Sequence, residues 1–221
     1  MDAASYTTLT RQSGLMREMQ VVANNIANIS TTGFRREGVI FEEYITGGQD
    51  GPSLSMATGD ARVIDLTQAG LNMTGGAFDF AIQGEGFFQI ETPDGPRLTR
   101  AGSFTPSAAG ELVTNDGYRL LDGGGGPIFI PPDANNLAVA QDGTVSANGA
   151  PLAKIGLWRP ADPLSLQHQA GTMFSADSLT PADGGKILQG YLEESNVNPV
   201  QEIARMIEVQ RSYELGQSFM D

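Results

Sequence analysis

The stretch Leu15–Phe34 reads LMREMQVVANNIANISTTGF, and the spacing of its apolar residues predicts an α-helix. These residues recur every three or four positions, which places them along one side of a helix. They are Leu15, Met19, Val22, Ile26 and Ile29. Because such spacing forms the seam of a coiled coil, we predict a helix from Ser5 to Ile29 that packs along this seam.

A polar patch after this helix predicts where it ends. Ser30, Thr31 and Thr32 favour turns, and they precede Gly33 and Phe34. Glycine adopts the left-handed backbone conformation that commonly terminates helices. We therefore predict a turn with Gly33 in that conformation.

The other end of the chain predicts a second helix. Asn198 is placed as its N-cap and Pro199 as its first residue, with Gln201 positioned to close a capping box. Two adjacent apolar stripes follow, so the helix has a wide apolar surface that implies contacts on more than one side. The stripes contain Met206, Val209, Tyr213 and Met220 in one, and Val200, Ile203, Ala204 and Ile207 in the other.

Between the helices the pattern changes to short apolar runs separated by turn dipeptides such as Asp142-Gly143 and Asn148-Gly149. Such dipeptides supply the positive φ angles of tight hairpins. The predicted fold is mainly β with terminal α-helices. Residues 1–35 and 190–221 form a discontinuous, coiled-coil-like helical segment. Residues 36–74 form an extended connector with one candidate strand at Arg62–Leu66, and residues 75–189 form a central all-β domain.

Burial of the five seam residues provides on the order of 10 kcal/mol at most. Ordering a residue costs about 1–2 kcal/mol before hydrogen bonds are counted, so an isolated helix of this length is marginal. We therefore expect both ends to be mobile in the monomer and to order on polymerisation. The alternative is that the two helices pair only with each other or cover the β-domain.

Composition excludes several classes of partner and site. The net charge is -13 and the 13 cationic residues are scattered, so nucleic acid and anionic membranes are poor partners. The chain has no cysteine, which excludes disulfides and zinc-thiolate sites. No segment has the roughly 20 apolar residues of a membrane span, and no cleavable secretory signal is visible.

The sequence contains no convincing catalytic, cofactor or metal site. Gly84-Glu85-Gly86 lacks the third glycine of a dinucleotide loop, and His168 is the only histidine. A secreted β-rich hydrolase or carbohydrate-binding module is the remaining alternative of a different class. Removing residues 1–35 and 190–221 discriminates the two, because the assembly interpretation expects a soluble, folded, monomeric β-domain to remain.

Four regions together resemble the flagellar rod and hook protein family, in the order that the family uses. The first is Ala23–Asn28 with Thr31–Arg36. The second lies in the centre and contains Ala81–Phe88, Thr99–Phe104, Leu112–Thr114 and Asp116–Tyr118. The third is the turn at Asp142–Thr144, and the fourth is Gly190–Val200 with Gln210–Glu214. The resemblance covers both termini and most of the β-domain.

This resemblance implies that the terminal helices form the inner core of a tubular polymer, with the β-domain outside. It also implies export without cleavage by the flagellar type III apparatus, and a place in the rod of the basal body, on the periplasmic side of the cell envelope. The implied partners are copies of the chain and other rod subunits, with no cofactor.

In this interpretation the amides of Asn24 and Asn25 fix the register between subunits, and Asn28 either does the same or caps the helix end. The expected assembly interface contains Leu15, Met19, Val22, Asn24, Asn25, Ile26, Asn28, Ile29, Gly33, Phe34, Asn196, Asn198, Ile203, Met206, Ile207, Val209 and Tyr213.

Within the family, a single β-domain in 221 residues resembles the proximal rod protein more than a hook subunit, which usually carries an additional domain. The distal rod or hook subunit is the alternative. Family members usually continue the terminal helix for a turn or more past the position of Asp221, which leaves open whether this is the native end.

Overall fold

The computed structural model describes residues 3–46, 54–134 and 136–218 of the chain. In chain order the first elements are α1 (Ala3–Ala27), β1 (Glu37–Thr46), β2 (Leu54–Ile64), β3 (Leu71–Met73), β4 (Phe80–Gln83), β5 (Phe88–Thr92), β6 (Gly95–Thr99), β7 (Thr105–Pro106), β8 (Leu112–Val113) and β9 (Arg119–Leu120). They are followed by β10 (Leu137–Val139), β11 (Thr144–Ala147), β12 (Ala150–Lys154), β13 (Trp158–Pro160), a 3-10 helix (Pro163–Ser165), β14 (Gln167–His168), β15 (Met173–Ser175), β16 (Leu179–Pro181), β17 (Lys186–Gln189), β18 (Tyr191–Glu193) and α2 (Pro199–Ser218). The prediction of a mainly β protein with a helix at each end is confirmed.

The chain divides into two compact units. The helical unit contains residues up to 29, residues 36–65 and residues from 197 onward; the β unit contains residues 30–35 and 66–196. The β unit is larger than the predicted domain of residues 75–189, because it also contains residues 66–74 of the predicted connector and residues 30–35 and 190–196 of the predicted helical ends. A chain trimmed to residues 36–189 lacks residues 30–35 and 190–196, so the expected trimming experiment would remove part of the β unit.

The structure differs from the predicted connector over residues 36–74. Its first part forms two long antiparallel strands, β1 and β2, with Glu37 opposite Ile64 and Thr46 opposite Leu54. The sequence Gly-Gly-Gln-Asp-Gly-Pro at residues 47–52, which falls in the predicted connector, lies outside the described residues. Both α1 and α2 belong to the same unit as this pair of strands, and α1 packs against both strands and against α2.

The β unit is built from antiparallel pairs. Its largest sheet has seven strands in the order β14-β15-β6-β5-β9-β8-β7. The last strands of the unit pair with its first: β17 lies beside β4, and β18 lies beside β3. Aromatic and β-branched side chains fill the core, among them Phe80, Ile82, Phe88, Ile90, Phe104, Leu112, Leu120, Ile128, Val145, Ile155 and Ile187.

The predicted turn chemistry is confirmed. At the turn between β11 and β12, Asn148 has a φ of 51° and Gly149 has a φ of 82°. Two successive residues with positive φ define the type of turn that joins antiparallel strands with the correct twist.

Candidate assembly interface

The N-terminus of α2 begins as the sequence predicts. The side-chain Oδ1 of Asn198 accepts hydrogen bonds from the backbone N–H groups of Val200 and Gln201, at 3.1 and 3.2 Å. The cap satisfies donors that the helix cannot pair internally. Asn198 therefore fixes the residue at which α2 starts, and with it the side chains that each face of the helix presents.

One face of α2 packs within the helical unit. Glu202 and Val209 are buried on this face. Arg205 donates a hydrogen bond from Nε to Glu18 Oε1 of α1 at 2.6 Å. Burial lowers the pKa of the Arg205 guanidinium, but its hydrogen bonds to Glu18 and Glu208 outweigh burial, so the pKa is raised above its usual value. The two terminal helices therefore contact each other within one chain. This is one of the alternatives that the sequence left open.

The contact face of α1 differs from the predicted seam by about one position. Gly14, Glu18, Val21 and Asn25 are buried and follow helical spacing, whereas of the predicted seam only Val22 is buried. Two of these residues, Glu18 and Asn25, are polar, and they can be buried because each bonds to a partner in the unit. A search for apolar periodicity could not identify them.

Asn25 joins three segments of the helical unit. Its Nδ2 donates to the backbone carbonyl of Glu37 at 2.8 Å and to Glu202 Oε2 at 3.1 Å. Its Oδ1 accepts from the backbone N–H of Glu37 at 3.0 Å. Glu202 also accepts a hydrogen bond from Arg36 Nε at 2.6 Å. The structure thus differs from the expectation for Asn25, whose amide bonds to groups of its own chain.

The other two asparagines also bond locally. Asn28 Nδ2 donates to the backbone carbonyl of Asn24 at 2.9 Å and to its Oδ1 at 3.1 Å. Asn28 thereby satisfies a carbonyl at the end of α1, as expected for a residue that caps a helix end.

The opposite face of α2 is apolar and exposed. We call it the α2 apolar face; it consists of Val200, Ile203, Ala204, Ile207 and Leu215. Val200 is 75% exposed, Ile203 52%, Ile207 45% and Leu215 64%. Spacings of three, four and eight residues place these side chains on one side of the helix. Exposed Arg211 and Glu214 lie on the same side of the helix, between Ile207 and Leu215. Exposed apolar side chains grouped along one side of a helix are typical of a protein interaction site.

The predicted interface residues therefore fall into three groups. Val22, Asn25, Gly33, Phe34 and Val209 are buried within their units. Leu15, Met19, Asn24, Ile26, Asn28, Ile29, Asn196, Met206 and Tyr213 are partly buried. Asn198, Ile203 and Ile207 are exposed.

Gly33 lies in the β unit and adopts the predicted conformation, with a φ of 72°. Its N–H donates to the backbone carbonyl of Glu193 at 2.8 Å. A Cβ at this position would lie 2.7 Å from Ala101 Cα and closer still to neighbouring backbone atoms of Arg100 and Ala101. Gly33 is therefore required by close backbone packing as well as by its turn.

A buried ion cluster in the β unit escaped sequence analysis. Arg35 Nη2 donates to Glu193 Oε1 at 2.8 Å, and Arg100 Nη1 donates to Glu193 Oε2 at 3.0 Å. The three side chains are at most 4% exposed. Desolvation lowers the pKa of Arg100 to about 10, although the charge of Glu193 opposes this shift. All three lie within stretches that resemble the family, namely Thr31–Arg36, Thr99–Phe104 and Gly190–Val200. Their burial was not predicted because charged residues are usually exposed.

The structure shows neither a membrane span nor a metal centre in the part of the chain that it describes. No helix there is long and apolar enough to cross a bilayer. No group of three or more histidine or acidic side chains lies close enough together to hold a metal ion among those residues.

We expect Asn25→Asp to destabilise the helical unit by about 1–3 kcal/mol, because an aspartate cannot donate to the Glu37 carbonyl or to Glu202 and places a carboxylate next to that of buried Glu202. The matched control is Asn24→Asp, which keeps an acceptor for Asn28. Far-ultraviolet circular dichroism during thermal unfolding measures the loss of helix. Equal unfolding curves for the two variants would contradict the role of the Asn25 amide.

Comparison with known families gives three matches along the chain. Residues 6–35 match the model described as flagella basal body rod protein, residues 81–147 the flagellar hook protein FlgE/F/G D1 domain, and residues 188–221 the flagellar basal body rod FlgEFG protein C-terminal region.

Individual proteins match over most of their length. The chain is 40% identical to the flagellar basal-body rod protein FlgF of Caulobacter vibrioides, over 100% of this chain and 93% of that protein. It is 37% identical to FlgF of Mesorhizobium japonicum, over 97% and 90%. It is 32% identical to the flagellar basal-body rod protein FlgG of Bacillus subtilis, over 95% and 90%.

Proposed function

The chain belongs to the flagellar basal-body rod protein family, and we propose that it is a structural subunit of the proximal rod that polymerises through its terminal helices. The α2 apolar face is the observation that supports polymerisation through these helices. Its side chains are exposed although the opposite face of the same helix is packed against α1. A helix with apolar residues on two sides requires a second partner.

The free energy gained by burying apolar side chains favours a neighbouring subunit as that partner. Each large apolar side chain contributes about 1.5–3 kcal/mol when it moves from water into a packed interface. Val200, Ile203, Ile207 and Leu215 are all large enough to contribute in this way. Repeated along a polymer, such contacts offset the cost of associating subunits. The partly buried side chains of α1, including Leu15, Met19 and Ile26, extend the apolar surface available to the same neighbours.

The partners in this proposal are further copies of the chain and other rod subunits. The chain reaches the rod by the flagellar type III export apparatus, without a cleaved signal peptide, and lies on the periplasmic side of the envelope. Its role is structural and involves no catalysis. The α2 apolar face and the partly buried face of α1 are surfaces for association, and neither contains a cluster of groups suited to acid–base chemistry.

The relatives named FlgF match at 36–40% identity and those named FlgG at 32–34%, and both groups support a basal-body rod subunit. The proximal rod is the position proposed for this chain, and the distal rod is the alternative that an experiment should exclude.

Labelling the chain in isolated basal bodies tests its position. An epitope inserted at the exposed turn Asn148-Gly149 leaves the paired strands on either side intact. The tagged chain should restore swimming to a strain that lacks its own copy, and electron microscopy should find the label at the membrane end of the rod. A label confined to the hook or to the outer end of the rod would contradict the proximal assignment.

A further inference from the structure

Glu193 lies where distant parts of the β unit meet. Its two carboxylate oxygens bind Arg35 and Arg100, and Oε1 also accepts the backbone N–H of Ala69 at 3.0 Å. Its backbone carbonyl accepts the N–H of Gly33. One residue near the end of the chain thus makes contacts with segments 158, 124 and 93 positions earlier.

The two arginines are also bonded to backbone carbonyls. Arg35 Nη1 donates to the carbonyl of Thr67 at 2.6 Å, and Arg100 Nη2 donates to that of Gly84 at 2.7 Å. A carbonyl can orient a guanidinium, but it carries no charge that neutralises it. The carboxylate of Glu193 therefore supplies a negative charge that binds both buried guanidinium groups.

A chain that ends before residue 193 lacks this carboxylate. It also lacks β18, which pairs with β3, so the first strand of the unit has no partner there. Burying two guanidinium groups without a carboxylate costs a large share of the stability of a small domain. Contacts between residues that are far apart in the sequence also form slowly during folding.

We propose that Glu193 makes folding of the β unit conditional on its C-terminal segment. Until residue 193 is in place, Arg35 and Arg100 stay hydrated and the core around β3 and β4 stays open. When Glu193 binds both arginines, the N-terminal turn at residues 30–35, the strands β3 and β4, and the segment that leads into α2 become ordered together.

The value of such a device rests on the proposed function. A subunit that is exported as an unfolded chain benefits if the part that emerges first does not fold before the rest has arrived. The device itself is a property of the single chain, so it can be tested on the purified monomer without any flagellar assembly.

The test compares refolding and unfolding rates of the full-length chain with those of Glu193→Gln. If closure around Glu193 is needed to reach the folded β unit, its contacts form in the transition state and their loss slows refolding. We expect refolding to slow about tenfold or more, with a smaller change in the unfolding rate. Fluorescence of Trp158, which lies in β13 of the same unit, reports both rates.

The neighbouring exposed residue provides a matched control, since Glu194→Gln should change neither rate. If Glu193→Gln does not fold, Arg35→Lys replaces it, because lysine keeps the charge but cannot bind both Thr67 and Glu193. The proposal is overturned if the substitution, Glu193→Gln or its replacement Arg35→Lys, speeds unfolding by a larger factor than it slows refolding. Since motility by the unaltered chain tests the rod assignment separately, the two ideas can fail independently.

Discussion

Replacing Gly33 by alanine is expected to destabilise the β unit by about 3 kcal/mol or more and to abolish swimming. A left-handed backbone costs a non-glycine residue about 1–2 kcal/mol. The added methyl group would also meet the backbone of Arg100 and Ala101, which cannot move aside as the end of a flexible side chain can. Overpacking of this kind costs a further 1–3 kcal/mol, roughly.

Gly75 supplies a closely matched control for this prediction. It has the same φ of 72°, and a Cβ at this position would have no neighbour within 4 Å. Gly75→Ala should therefore report the cost of the backbone conformation alone. Thermal unfolding of both variants separates the two contributions. Equal losses of stability at the two positions would show that close packing around Gly33 contributes nothing.

The sequence predicts those features that depend on neighbouring residues. Asn198 and Pro199 mark the start of α2, and Asn148-Gly149 forms its turn with both φ angles positive. In each case, the deciding interactions involve residues a few positions apart. Local chemistry of this kind is visible in one sequence.

Of the strands β1 and β2, the sequence predicts only the end of β2, where the candidate strand Arg62–Leu66 overlaps it at residues 62–64. The rest of both strands falls in the predicted connector. Their pairing depends on the match between residues on opposite strands, such as Glu37 with Ile64, which local propensity does not reveal.

The polar groups inside the units were missed for a different reason. Glu18, Asn25 and Glu193 are residue types that sequence analysis places on the surface. Each is buried because a partner far along the chain compensates it: Arg205 for Glu18, Glu202 for Asn25 and two arginines for Glu193. Only the folded structure brings such partners together.

The family resemblance extended the prediction to the place of the chain in the flagellum, and the list of interface residues stays a prediction. Apolar periodicity alone did not separate the packed face of each helix from its free face. Val209 and Ile203 lie on the same helix, yet Val209 is 2% exposed and Ile203 is 52% exposed. The predicted list therefore mixed residues that stabilise the subunit with residues available to a neighbour.

This difference predicts opposite results for two substitutions in α2. Val209→Asp places an unpaired charge in the packed face of α2 and should reduce the helix content of the purified chain. Ile203→Asp places the same charge on the α2 apolar face, where it is hydrated in the monomer. It should leave helix content and melting temperature unchanged, and prevent the burial of this face against another subunit.

The most direct test of polymerisation through the terminal helices is incorporation of Ile203→Asp into basal bodies of a strain that lacks its own copy. Gln201→Asp, which adds the same charge at an exposed polar position of α2, serves as the control. We expect the control to be incorporated and to support swimming, and Ile203→Asp to be folded as a monomer but absent from the rod. Normal incorporation of Ile203→Asp would contradict the account.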